Sequence, residues 1–303
     1  MSPQSFTSQT SAVPTSVRIG KFKASRIILK ESWALLSHDK EILWLPVLSA
    51  ITFFVSLAIV GVIVYFGVLG GSLDALKGLE NAEQGVKDVA VYATIFGYYL
   101  LIFFITNFFQ ASIFAIVHAR FNGGNFSLGD GLASARAHMG RIFIWSLISA
   151  TVGVILQVVS DKSKVVGKIV AAILGSAWNI LTYFSLPSLV IGQASLTDSF
   201  KESASMIRKT WGETIIVNFG VGLIFGLINT LLFAVGIVIL ILFPTMNVAI
   251  GIGSSLIFLI ILLSILSTSL NAIFKLVLFE YARTGTVPQG FSLDVVQSAI
   301  KVK

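Results

Sequence analysis

The sequence has no cysteine in 303 residues, only six prolines, and charged side chains at just 12% of its positions. Without cysteine there can be no zinc–thiolate site, iron–sulfur cluster, thiol catalysis, disulfide framework or palmitoylation. An average soluble domain is about 25% charged, so roughly half the polar surface of a water-soluble globule is missing. Histidine is scarce and scattered: His38, His118 and His138 form no i, i+4 pair and offer no clustered metal ligands. P-loop, dinucleotide fingerprint and nucleophile elbow are all absent, and the Gly123-Gly124 pair reads as a turn. No cofactor and no metal are expected.

What the chain has in abundance is apolar. Hydrophobic residues make up 55% of it, phenylalanine alone accounts for 24 positions, and the mean hydropathy is +0.91. Such a composition excludes a soluble enzyme, a disordered chain and a small secreted domain. It leaves a polytopic membrane protein.

An apolar run of about 18 residues or more suits a hydrocarbon core ~30 Å thick, because a helix rises ~1.5 Å per residue. Six runs qualify: Leu43 to Leu69, Val89 to Val117, Ile142 to Val159, Val165 to Ile191, Ile215 to Phe243, and Val248 to Phe279. They are continuous rather than alternating, which excludes a membrane β-barrel. The expected fold is all-α.

Charge sets the direction of the spans. Arg18, Lys21, Lys23, Arg26, Lys30 and Lys40 precede the first span; Arg120, Arg136 and Arg141 follow the second. Lys201, Arg208 and Lys209 follow the fourth, and Arg283, Lys301 and Lys303 the sixth. The other side holds only Lys77, Lys87, Lys162 and Lys164. The positive-inside rule therefore predicts a multi-pass protein of the cytoplasmic membrane with both termini cytoplasmic. Trp33, Trp44, Trp145 and Trp211 fall on the same side, where an interfacial aromatic belt is expected. The net charge of +7 then finds its partner in anionic membrane lipids, and no nucleic acid is required. Residues 1–17 are rich in Ser, Thr, Gln and Pro and read as a disordered cytoplasmic tail; residues 18–303 read as one membrane domain. No cleavable signal peptide is expected, since the first apolar run is too long for one. The loop from Gly70 to Asp88 carries Asp74, Glu80, Glu83 and Asp88 and reads as a short acidic external cap.

A unit recurs on the basic side. After the second span come Ala119-Arg120, Ser127-Leu128, Asp130 and Ser134-Ala135; after the fourth come Ala194-Ser195-Leu196, Asp198 and Ser203-Ala204. After the sixth come Ala282-Arg283, Ser292-Leu293-Asp294 and Ser298-Ala299. Ser127 with Asp130, and Ser195 with Asp198, have the spacing of a capping box at a helix start. The helices that follow have apolar faces: Leu132, Ala135, Met139 and Ile142 in one, Phe200, Ala204, Ile207 and Trp211 in the next. Leu29, Ser32, Trp33 and Leu36 form a similar face before the first span. The expected architecture is three transmembrane hairpins, each preceded by a cytoplasmic amphipathic helix lying in the interface, with a fourth such helix at Asp294.

The segment Glu31-Ser32-Trp33-Ala34-Leu35-Leu36, with Asp39 to Leu43 and Pro46-Val47-Leu48-Ser49, resembles the N-terminal signature of a family of uncharacterised six-pass prokaryotic membrane proteins. The stretch from Ser195 to Trp211-Gly212-Glu213 resembles the same family and, more distantly, the membrane domains appended to some glycerophosphodiester phosphodiesterases. The resemblance implies topology; it carries no activity to transfer, and no phosphodiesterase catalytic domain is encoded.

Polar residues inside spans are the candidate functional positions, because each must find a partner in hydrocarbon. Asn107, Gln110 and His118 share a face of the second span, and Asn179 and Gln193 are close in angle on the fourth. Asn218 and Asn229 share a face of the fifth, and Ser267, Asn271 and Lys275 form an i, i+4 stripe on the sixth. Lys275 is expected to snorkel to the interface and Glu280 to lie near Lys275 or Arg283. Gly167, Ala171 and Gly175, and Gly222 with Gly226, are expected to let helices approach closely. No span holds an internal carboxylate, so acid–base chemistry is not expected. Two functions remain open. One is a non-enzymatic, membrane-organising, lipid-contacting or accessory protein, with the amides bonded to neighbouring helices. The other is a small-molecule or lipid transporter, with a polar cavity lined by Asn107, Asn179 and Asn229.

Overall fold

The computed structural model describes residues 21–68, 84–162, 165–210, 220–242 and 245–293. Among them every regular element is a helix, as continuous apolar runs demand where the backbone must satisfy its own polar groups. In order they are α1 (Lys21–His38), a 3-10 turn (Lys40–Leu43), α2 (Trp44–Ile63, ending in a π turn Val64–Val68), and α3 (Gln84–Phe121). Then come α4 (Leu128–Ala137), α5 (Met139–Asp161), α6 (Val166–Leu181), α7 (Ser185–Val190), α8 (Leu196–Thr210), α9 (Gly220–Leu242) and α10 (Met246–Thr284).

Five stretches of the described residues are long and apolar enough to cross a membrane: Lys40–Phe66, Val89–Phe121, Met139–Asp161, Val166–Val190 and Ile250–Thr284. They fall on five of the six expected runs. Of the remaining run, from Ile215 to Phe243, α9 covers Gly220–Leu242, within which Phe225–Ile239 is a shorter apolar helix. Its flanks lie outside the described residues, as do the N-terminal tail, most of the acidic loop, Trp211, Asn218 and Asp294.

Consecutive apolar helices pack as pairs, α2 on α3, α5 on α6, and α9 on α10. Helix α3 is the central post, touching α2, α4, α5, α7 and α10. Its residues from Ala111 to Val117 are buried in unbroken succession, and Ala272, Ile273, Phe274, Leu276, Val277, Leu278 and Phe279 of α10 are buried beside it. With 38 residues, α3 is about 57 Å long, well beyond a ~30 Å hydrocarbon core. The core therefore sits at one end of the bundle, where α1, α4 and α8 gather around the ends of α3 and α10. Toward the other end the long helices are largely exposed. Phe54, Ile59 and Phe66 of α2, Leu231 and Ile241 of α9, and Ile257 and Phe258 of α10 are all exposed. Bare aliphatic and aromatic surface of this kind fits a membrane protein.

The caps at the packed end form as their spacing predicts. Ser127 Oγ accepts from the Asp130 N–H, and the Ser127 N–H donates to Asp130 Oδ2 at 2.9 Å, closing both halves of the box. The Asp198 N–H donates to Ser195 Oγ at 3.2 Å. Gly123 stands at φ +76° between α3 and α4, and Gly285 at φ +74° ends α10; a Cβ is disfavoured at both.

Several expected faces are rotated. On α8 the buried stripe is Ser199, Ser203 and Ile207, with Phe200 and Ala204 beside it, because the neighbouring helix breaks there and supplies groups that hydroxyls can bond. On α1, Ser32 and Leu36 are buried while Trp33 is 51% exposed. Met139 is exposed and opens α5. Trp145 is not in an exposed belt: it is buried and stacks on Trp178 at 6.1 Å, whereas Trp44 is 61% exposed. Gly167 does permit close approach, within this chain, to the end of α5: a Cβ there would lie 2.5 Å from the Val159 carbonyl oxygen. Gly226 faces open space; on α9 the close approach is at Gly236, against Leu256 of α10.

The expected fourth run is not one helix. It stops at Leu181, turns through 182–184 and resumes as α7. Pro187 explains the break, since it has no N–H for the Tyr183 carbonyl and its ring crowds that carbonyl. The Phe184 N–H turns instead to Ser203 Oγ of α8 at 2.9 Å.

Candidate binding crevice

A cavity of about 670 Å³ lies between α3, α5 and α6, with the break at 182–184, Leu186 of α7 and Lys275 of α10 also in its lining. Helix α3 contributes Tyr99, Phe103, Asn107 and Gln110, spaced to share one face. From α5 the lining runs from Trp145 to Ser160, about 22 Å of helix axis, so the cavity is a long crevice rather than a round pocket. Small residues make the room: Gly153 accommodates the Tyr99 ring, to which a Cβ would come within 2.9 Å, and Ala171 and Gly175 line the facing wall. Trp178, Asn179, Thr182 and Tyr183 follow along α6 and into the break. Asn179 is an exposed amide on an apolar helix, so the crevice opens on the side of the bundle.

The hydrogen bonds divide the polar lining in two. Asn107 Nδ2 donates to Ser146 Oγ at 3.0 Å, and that hydroxyl donates to the Ile142 carbonyl at 2.8 Å. Ser149 and Thr182 hydroxyls donate to the carbonyls of Trp145 and Trp178 one turn back, and Gln157 donates to Asp161. Each of these groups has a partner within the protein. Among the described residues the side-chain amides of Gln110 and Asn179 have no hydrogen-bond partner.

Lys275 does not snorkel. Its ammonium lies 4.8 Å from the Tyr183 ring centroid and 6.0 Å from that of Phe114, and it lines the crevice. The helix break turns Tyr183 toward it, which no helical periodicity could have indicated. Nor is Glu280 its partner: His118 Nδ1 donates to Glu280 Oε1 at 2.9 Å, tying α3 to α10. Asp39 accepts from Nε, at 2.7 Å, and from Nη2 of the Arg120 guanidinium, and Nη2 also donates to Asn125. Glu41 accepts from the Leu128 N–H, and Glu31 from the Ser292 hydroxyl. The Ser127 hydroxyl and N–H hold the Asp130 carboxyl below its ordinary pKa. The carboxylates at this end are thus engaged with groups outside the crevice.

Of the sequence candidates, Asn107, Gln110, Asn179 and Lys275 meet in this one cavity. Asn271 is elsewhere, donating to Ser267 on its own helix at 3.2 Å, and Asn229 has a buried Oδ1 without a partner outside the crevice. Gln193 is in the loop after α7, at φ +52°, and not on the helix face with Asn179. The aromatic wall of Trp145, Trp178 and Tyr183 escaped the sequence reading; Pro187, a breaker inside an apolar run, was the available signal. A second, apolar cavity of about 250 Å³ lies between α2 and α3, lined by Phe53, Phe54, Ile105 and Phe109, and shares Gln110 with the first.

No curated protein and no solved structure matches the chain. A family match covers residues 89–290, which takes in every residue lining the crevice and the Ser195 to Glu213 stretch, though not the Glu31 to Ser49 segment. The family is described as one of unknown function, DUF6159, and the chain belongs to it.

Proposed function

We propose that the protein is a six-span, non-enzymatic membrane protein with both termini cytoplasmic, which holds a lipid or lipid-like amphiphile in the crevice between α3, α5 and α6. The carrying observation is the crevice itself: about 22 Å long, open at the side, with aromatic and aliphatic walls interrupted by polar groups, among them Asn107, Gln110, Asn179 and Lys275. A side opening on an apolar bundle is reached from the bilayer. The distribution of Lys and Arg supports the orientation, and the pairwise packing of consecutive apolar helices supports three hairpins.

A transporter is the second reading, and the helix break at 182–184 favours it, since interrupted spans supply freed polar groups to substrate sites near the membrane midplane. Against it, Asn229 is not in the lining and Asn107 is bonded to Ser146. The test is a melting-point screen of detergent-purified protein against added lipids. Binding in the crevice predicts that at least one amphiphile raises the wild-type melting point and that Asn179→Leu or Gly175→Leu abolishes the rise. If no amphiphile stabilises the wild type, the proposal fails. Flux of the stabilising amphiphile across proteoliposomes would select the transporter.

A further inference from the structure

We propose that Lys275 is the anion-binding group of the crevice, and that the headgroup it takes is a phosphate ester of an acidic amphiphile. The inference rests on the crevice being a lipid site and adds its charge preference. An ammonium inside an apolar bundle is costly unless paired. Lys275 is held only by two aromatic faces, Tyr183 at 4.8 Å and Phe114 at 6.0 Å. Ring faces offset part of the charge but accept none of its three N–H donors. Among the described residues no carboxylate pairs with it: Glu280, one turn on, is taken by His118, and Asp39 by Arg120. Among the described residues the crevice therefore carries a positive charge with no carboxylate beside it.

The neighbouring polar groups can donate as well as accept. Gln110 and Asn179 bring unpaired side-chain amides to the cavity that Lys275 lines. A phosphate has several strong acceptor oxygens and suits this set better than a neutral headgroup. Along the middle of the crevice Phe103, Val152 and Leu156 suit an acyl chain, and Gln157 and Ser160 line its far end. An inorganic phosphate would fill the space beside Lys275 and leave the length of the crevice empty.

The experiment uses the full chain in phosphatidylcholine vesicles doped with phosphatidylglycerol. The readout is quenching of Trp145 and Trp178 by lipids brominated on the acyl chain, since both rings line the crevice. Brominated phosphatidylglycerol is expected to quench more strongly than brominated phosphatidylcholine at equal mole fraction. The excess should vanish in the double variant Trp145→Phe, Trp178→Phe. Lys275→Gln should weaken the preference for the acidic lipid about tenfold, while Lys275→Arg keeps it. Equal quenching by the two lipids in the wild type overturns the charge preference and leaves a neutral lipid site standing. No quenching by either overturns the lipid site as well. Should Lys275→Gln fail to fold, Lys275→Met carries the same test, and an acidic-lipid preference retained in either variant overturns the assignment to Lys275. A separate arm titrates inorganic phosphate: if it alone raises the melting point and displaces no lipid, the site is for free phosphate and the amphiphile is wrong.

Discussion

Gly167 offers the sharpest test of how the crevice is built. In Gly167→Ala the new Cβ would stand 2.5 Å from the Val159 carbonyl oxygen and 2.8 Å from that of Ser160. Both are backbone atoms at the end of α5, so neither can rotate aside. The α5–α6 pair must open by at least about 0.5 Å to bring the contact even to 3.0 Å. Overpacking of this kind costs about 1–3 kcal/mol, against a helix-propensity gain of at most ~1 kcal/mol for replacing glycine. Two controls isolate the packing. At Gly175 the nearest atom is Leu156 Cδ1 at 3.3 Å, the tip of a flexible side chain, so the two effects roughly cancel. At Gly226 nothing lies within 4 Å, so only the propensity gain remains. Melting in detergent should therefore rank Gly226→Ala at or above wild type, Gly175→Ala near it, and Gly167→Ala lowest, by roughly 2–4 °C for each kcal/mol. If Gly167→Ala melts with Gly226→Ala, the close approach of α5 and α6 is not as described, and the crevice walls are not held as argued.

Two further outcomes follow from the packed end and from the charge distribution. Ile207→Asp buries a carboxylate among apolar groups and should cost about 3 kcal/mol or more in detergent melting; Lys201→Ala, on the exposed face of α8, should cost nothing measurable, and Glu202→Ala should lie between because its carboxylate accepts from the buried Ser188 hydroxyl. Cysteines introduced into this cysteine-free chain at Ser72 should react with an impermeant reagent on intact cells while one at Ser5 should not, and external labelling at Ser5 would reverse the orientation.

The sequence by itself determined the helical class and nearly all of the long helices, because helices in hydrocarbon are dictated by runs of side chains that need no tertiary partner to be favourable. It also determined the capping box at Ser127 and the N-cap bond at Ser195, since both are made within four residues. Four of the polar candidates belong together for a similar reason: an amide or ammonium on an apolar helix stands out wherever it falls. What stood beyond its reach is everything that depends on a helix neighbour. Trp145 reads as a belt residue until Trp178 is brought over it, and the docking of α1 through Ser32 and Leu36 is not visible in α1 alone. Lys275 reads as a snorkelling end residue until the Pro187 break swings Tyr183 beneath its ammonium and His118 claims Glu280. Only the packing of α3, α5 and α6 decided that a charge near the end of one helix and amides on two others share one space, because nothing local to any of those helices encodes which face its neighbour will cover.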